Sequence, residues 1–387
     1  MDQRDVLVGF LRGLPSGIPA PLPPTGLPPY AALAEALAGP LAEPPCLISF
    51  SGGRDSSALL AIALEVARRQ GLPEPVPFTL RFPGAAAADE TSWQEAVIDH
   101  LKPRQWEIVE LPPEDVAFLG PAATASLVAH GLLWPPTLHT SSAWLRRASG
   151  ATLLTGEGGD ELLGPHRATS LSAVLHRLRH QPAALRSGQV RQVLSDASPG
   201  SVRVVLELRR MAKGAEFSWL RPPFRDEARR EMAEIACAEP WPWPAALRSH
   251  ARLPARALGL LNQDWYANAF AVRFGHPFLD ERVVEAVARH GGLLGYASRT
   301  EAMLRLFGDL LPEAVLSRST KALFNSVYHG EATRAFARAW SGEGVSPDLV
   351  DVPALRQIWL ADRVDARTSA LLQVAWLAVN GATGPAI

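Results

Sequence analysis

Cys46-Leu47-Ile48-Ser49-Phe50-Ser51-Gly52-Gly53-Arg54-Asp55-Ser56-Ser57 decides how this chain is read. An apolar run turns abruptly into a loop of small residues, and the loop opens a long helix-forming stretch, Ala58 to Arg69. That order is strand, turn and helix N-terminus. The adjacent glycines Gly52 and Gly53 let the backbone curl until consecutive N–H groups point at one anion. The helix dipole adds partial positive charge at the same place. Ser51, Ser56 and Ser57 offer hydroxyls to phosphate oxygens, and Asp55 offers a carboxylate to a divalent cation. The loop lacks the Gly-Lys-[Ser/Thr] ending of a Walker P-loop and the lysine that ending brings. The segment is expected to cradle phosphate by a different device.

A chain of 387 residues, 47% hydrophobic and 20% charged, has ample core for one large or two ordinary domains. Its net charge of −1 gives no global reason to expect nucleic acid or a membrane as partner. The two cysteines, Cys46 and Cys237, exclude a disulfide framework and fit a reducing cytoplasm. The N-terminus carries no basic segment followed by an apolar one, and no apolar run reaches the roughly 18 residues of a membrane span. These features read as a cytoplasmic protein.

Residues 14 to 29 are too proline-rich for helix or central strand and read as an extended linker between a short N-terminal helix and a helix over Tyr30 to Leu41. From Cys46 onward the pattern alternates: strand 46–50, helix 56–69, strand 76–82, helix 89–101, strand 105–111, a helical stretch around 141–148, then strand Thr152 to Thr155. Short apolar strands alternating with amphipathic helices predict an α/β fold, a parallel sheet with helices on both faces. Beyond about residue 165 helical periodicity dominates. The expected organisation is an N-terminal helical and proline-rich segment (1–44), an α/β core (45–165) and a mainly helical region (166–387) packed with that core.

Ala151-Thr152-Leu153-Leu154-Thr155-Gly156-Glu157-Gly158-Gly159-Asp160-Glu161-Leu162-Leu163-Gly164 repeats the logic of the first loop, now with three acidic residues. In open α/β sheets ligands sit beyond the carboxyl ends of the strands, so both loops are expected to face one crevice. An acidic loop facing phosphates repels them unless a cation intervenes. The economical reading is Mg²⁺ held by Asp55 and Asp160, with Gly156 and Gly158 on the nucleotide side.

The first loop resembles the Ser-Gly-Gly-x-Asp-Ser loop of ATP pyrophosphatases. The pair resembles the synthetase domain of the asparagine synthetase and β-lactam synthetase family, whose second loop reads Gly-Glu-Gly-x-Asp-Glu-[Leu/Val]-x-Gly. Ala88 to Val97 is similar to the family's acidic helix start, and Pro277-Phe278-Leu279-Asp280 to its Pro-Phe-Leu-Asp element. Leu311-Pro312 and Arg318-Ser319-Thr320-Lys321-Ala322-Leu323-Phe324 resemble its basic segment with a trailing phenylalanine. The resemblance spans roughly residues 45 to 380. It implies an adenine-nucleotide α-hydrolase-like fold with ATP and Mg²⁺. In the implied reaction a substrate carboxylate attacks the α-phosphorus of ATP, pyrophosphate leaves, and an amine takes the acyl group to give an amide. It further implies that Lys321 approaches the reacting centre and that Glu157 faces the intermediate. Arg318 either assists or serves as a structural ion-pair partner, and Glu161 braces the loop. Thiolating tRNA enzymes and the synthetases of GMP and NAD share the first loop, but two unclustered cysteines disfavour sulfur transfer.

The chain also departs from that family. It begins Met1-Asp2 rather than with a nucleophilic cysteine, and the first loop arrives some 45 residues in, so no glutaminase domain is expected. The amine is then expected from free ammonia, from a partner protein that supplies ammonia or presents a peptide, or from the substrate itself. Where asparagine-forming enzymes read Glu-x-Arg-x-Pro-Phe-Leu-Asp, this chain has Arg273-Phe274-Gly275-His276-Pro277-Phe278-Leu279-Asp280. That is a charge reversal and a charge loss, which argues against aspartate as the acid. A family lysine near Met303-Leu304-Arg305 is replaced by a stretch containing Thr300 and Glu301. The expected substrate is a small-molecule or peptide carboxylate in natural-product or peptide tailoring. The alternatives are macrolactam closure of the lasso-peptide type, asparagine synthesis with ammonia, and a non-catalytic nucleotide-binding module. The basic stretch Arg167 to Arg230 reads as a solvated helical face, and Trp241 and Trp243 as core anchors or a pocket wall. His176 and His180, four apart on a helix, form an incomplete metal pair.

Overall fold

The computed structural model describes residues 2–11, 26–184 and 186–381. Most of the proline-rich linker expected over 14–29 lies outside the described residues; Pro29 begins the helix Pro29–Ala42. Five parallel strands form one sheet: β1 (Cys46–Ser49), β2 (Val76–Arg81), β3 (Glu107–Glu110), β4 (Thr152–Leu154) and β5 (Arg273–Gly275), in the order β3-β2-β1-β4-β5. The first four fall where the alternating pattern placed them. The fifth comes from the helical region, where a three-residue strand is too short to register as a pattern. It pairs with β4 through Thr152↔Arg273 and Leu154↔Gly275.

Alternation within the strands puts apolar side chains on both faces, as a covered parallel sheet requires. Cys46 and Ile48 of β1 and Leu154 of β4 enter one core; Leu47 and Leu153 enter another on the opposite face. Burial pushes the Cys46 thiol up to about 12, so it packs as a small apolar group. The first core is built around the helix Arg54–Gln70, buried from Ser56 to Leu64, and covered by the helices Pro29–Ala42, Glu281–Gly291 and Arg299–Phe307. The N-terminal helix Gln3–Val8 joins a third core, with Trp219, Trp340, Trp359 and the helix Ser369–Val379. Trp243 is a core anchor: it is buried and meets Tyr296 edge-on at 5.4 Å. No described helix is long and apolar enough to cross a membrane.

Two sequence expectations change. Arg273 does not reach the crevice: it stands on the exposed edge of the sheet, 3.2 Å from Glu43 and 3.0 Å from Thr152 Oγ1. Its charge therefore says little about the acid this protein uses. Of the basic stretch Arg167 to Arg230, Arg179, Arg191, Arg209 and Arg230 are exposed as a solvated face requires, but Arg167 turns inward, its guanidinium donating to the carbonyls of Asp196 and Glu239.

Candidate active site

The order β3-β2-β1-β4-β5 reverses direction between β1 and β4, and the loops leaving those two strands flank the reversal. Ser51, Gly53, Asp55 and Ser56 from the first loop and Gly156, Glu157, Gly158 and Asp160 from the second line one cavity of about 480 Å³. Arg318 and Lys321 line it from the far side of the sequence. Gly52 takes φ +81° beneath this wall, against Gln94, where a side chain would be both strained and crowded. Gly159 lets the two loops touch, since a Cβ there would lie 2.7 Å from Asp55 Cγ.

The first loop is held in its curl by its own hydroxyls. Ser56 Oγ accepts from Ser51 N–H at 3.2 Å and donates to Gly53 O at 3.1 Å, while Ser51 Oγ accepts from Gly53 N–H at 3.3 Å. Ser57 is the exception to the expected set of hydroxyls. It is 0% exposed, its N–H bonds Gly53 O at 3.0 Å, and its Oγ has no partner. The first helical turn rotates it into the core, away from the cavity. Ser57 is therefore not placed to bind phosphate, contrary to the expectation from its hydroxyl.

Asp55 and Asp160 face each other across one cation. Arg299 Nη2 donates to both Asp55 oxygens, at 2.6 and 2.5 Å, and its Nη1 pairs with Asp160. Lys321 Nζ reaches the other Asp160 oxygen at 3.3 Å with its side chain 81% exposed. Burial pushes the Asp55 carboxyl above its ordinary range, and Arg299 offsets this only in part. Burial acts the same way on Asp160, but Arg299 and Lys321 outweigh it and hold that carboxyl low. Glu157 is raised by burial, with Arg256 opposing.

Arg318 is committed to bracing. Its guanidinium donates to Gly52 O at 3.0 Å, to Thr320 Oγ1 at 2.9 Å and to the buried Glu90, and lies 4.6 Å over the Trp93 ring. With its donors spent on the first loop and the acidic helix start, it is a positioning residue, and its catalytic reading is corrected accordingly. Glu161 and Glu157 share Arg256, at 2.5 and 3.3 Å. Glu157 N–H donates to Thr155 Oγ1 at 3.2 Å, and Thr155 Oγ1 lies 2.8 Å from His276 Nδ1. Burial, helped by Arg256, lowers His276 to about 4 and keeps it neutral.

Sequence reading missed Arg299, Arg256, Thr155 and His276. Arg299 had a faint signal, standing one residue before the Thr300-Glu301 pair that replaces a family lysine. Arg256 had none, since 99 residues separate it from Glu157. The rings of His176 and His180 lie with centroids 4.4 Å apart and planes tilted by 49°, and no third ligand joins them among the described residues.

Compared with known proteins, residues 30–380 match the family model described as asparagine synthase. No curated protein matches the chain.

Proposed function

We propose a carboxylate-adenylating reaction for this chain, which belongs to the asparagine synthase family. The family makes it an ATP-dependent amide-forming ligase. The finer reading is that a substrate carboxylate attacks the α-phosphorus of ATP, pyrophosphate departs, and an amine captures the acyl-adenylate with release of AMP. One observation carries it: two glycine-rich loops and Lys321 converge on a single cavity whose two aspartates are close enough to share a cation.

The residues present suit Mg²⁺. Asp55 and Asp160 offer only oxygens, and a guanidinium already neutralises both at once. They would hold the ion, which when bound supplies positive charge to the pyrophosphate. The chain's own groups do the rest. The Gly53 and Arg54 end of the helix Arg54–Gln70 points backbone dipoles at the phosphates, while Ser51 and Ser56 exchange their mutual bonds for phosphate oxygens. Lys321, 81% exposed at the mouth of the cavity, meets the charge that builds at the reacting centre. Glu157, with its raised carboxyl, faces the acyl side of the crevice.

The acid is proposed to be a small-molecule or peptide carboxylate, and the amine ammonia or a group of the same substrate. The test is a screen of carboxylates with ATP and Mg²⁺, with and without ammonia, reading AMP and pyrophosphate. AMP and pyrophosphate in equal amounts are expected, and a product lighter by one water identifies ring closure. ADP and phosphate in their place would overturn adenylation.

A further inference from the structure

A second cation seat lies behind the acidic loop, outside the cavity. His166 follows the short helix Gly159–Leu163, Glu239 precedes the helix Trp243–Ala251, and His250 lies on that helix. One ring nitrogen from each histidine and a Glu239 carboxylate oxygen all lie within 4.8 Å of one another. His166 Nδ1 is 3.2 Å, and His250 Nε2 2.8 Å, from the same oxygen, Oε2 of Glu239.

Proton accounting at His166 shows where a positive charge belongs in this cluster. Its Nε2 lies 2.7 Å from the backbone oxygen of Glu161. A carbonyl only accepts, so the proton of a neutral imidazole sits on Nε2. Nδ1 then turns a lone pair toward a carboxylate oxygen, acceptor against acceptor, in a side chain that is 3% exposed. Something positive belongs between them. A proton bridges one nitrogen to one oxygen, whereas a metal ion satisfies both nitrogens and the carboxylate together.

We propose that His166, Glu239 and His250 bind a zinc-type divalent ion, with water in the fourth position. The surroundings are those of a ligating set. The far nitrogen of His166 is fixed by a backbone carbonyl, the usual support for a metal-bound imidazole. The second oxygen of Glu239 is held by Arg167 N–H at 2.8 Å. The two imidazole planes are tilted by 64° with centroids 5.0 Å apart, which aims their nitrogens from different directions. Two imidazoles and one carboxylate select zinc over magnesium, whereas the all-oxygen Asp55/Asp160 pair selects the reverse. The ion fastens the acidic loop, through Glu161 O and His166, to the helical part that carries Glu239 and His250.

The experiment uses the whole chain without a histidine tag, grown with added zinc and exchanged into metal-free buffer, with metal counted by plasma mass spectrometry. About one zinc per chain is expected in the wild type and in Asp160→Asn, and less than about 0.2 in His166→Ala and His250→Ala. A wild type without zinc, or with no more than the histidine variants, overturns the proposal; so does zinc lost from Asp160→Asn and kept by His250→Ala. Should His166→Ala fail to fold, X-ray absorption at the zinc edge of the wild type decides. Two imidazole nitrogens at about 2.0–2.1 Å support the site, and a shell of oxygen or sulfur alone overturns it.

Discussion

The two walls of the cavity are built by opposite strategies. One wall is local: Ser51 to Ser56 and Thr155 to Glu161 are the loops leaving adjacent strands β1 and β4, and they bring the glycines, hydroxyls and carboxylates. The other wall is assembled from afar. Arg299 and Lys321 come from separate elements and meet Asp160 across 139 and 161 residues. The acidic wall can be written as a motif because strand pairing already places it. The basic wall depends on how helices pack. Arg299 lies between the two aspartates, where the proposed metal would compete with it.

The largest break in this contrast is expected at Lys321. Lys321→Ala removes the cation proposed to meet the developing charge and should slow pyrophosphate release about 10²- to 10³-fold. ATP affinity by calorimetry should move by less than about threefold, because the Lys321 side chain pairs with Asp160 and is 81% exposed. An equal loss in affinity and in rate would make it a binding residue instead.

Arg299→Met probes the same wall without substrate. It leaves two carboxylates facing each other and should cost about 1–3 kcal/mol in urea unfolding with chelator present. That is less than a fully buried pair would lose, because Asp160 is half exposed. Millimolar Mg²⁺ should then restore more stability to the variant than to the wild type, since Arg299 no longer competes for the seat. A midpoint indifferent to Mg²⁺ would remove Asp55 and Asp160 as its ligands.

The same division explains what was legible in the sequence. Strands β1 to β4 and both loops were readable because hydrophobic period and glycine placement act over a few residues. β5 was not, because Arg273-Phe274-Gly275 becomes a strand only by pairing with β4. Ser57 was misjudged by counting hydroxyls without asking which face of the first helical turn each would take. Arg256 and the His166–Glu239–His250 cluster left no pattern, and Arg299 only a faint one, because their partners lie on other elements. Arg318 lines the cavity where its motif placed it, yet the contacts that define its place, to Gly52 O and Glu90, lie on other elements.

Arg318→Lys tests that role and should have a smaller effect. A single ammonium does not reproduce a planar fork that reaches a carbonyl, a hydroxyl and a carboxylate together. The expected cost is about 1–2 kcal/mol of stability, with the KM for ATP rising more than kcat falls, because the loosened part is the first loop. A fall in kcat alone would return Arg318 to the chemistry.

The smallest effect belongs to Glu157 and concerns pH. Its folded carboxyl is raised by burial, which outweighs Arg256. The folded state therefore binds the proton more tightly than the unfolded chain. The stabilisation this gives is fully present below the ordinary carboxylate pKa and is lost as pH rises through the raised folded value. Glu157→Gln removes that titration, so stability should vary less with pH just above the ordinary carboxylate range. The change should be a fraction of a kcal/mol (~0.5), because the side chain is half exposed and screened by solvent. Thermal melts of both proteins across that range check the sign: the wild type should lose ground to the variant as pH rises. The opposite slope would mean that Arg256, and not burial, governs Glu157, moving it from the acid side of the site to the braced loop that Glu161 already occupies.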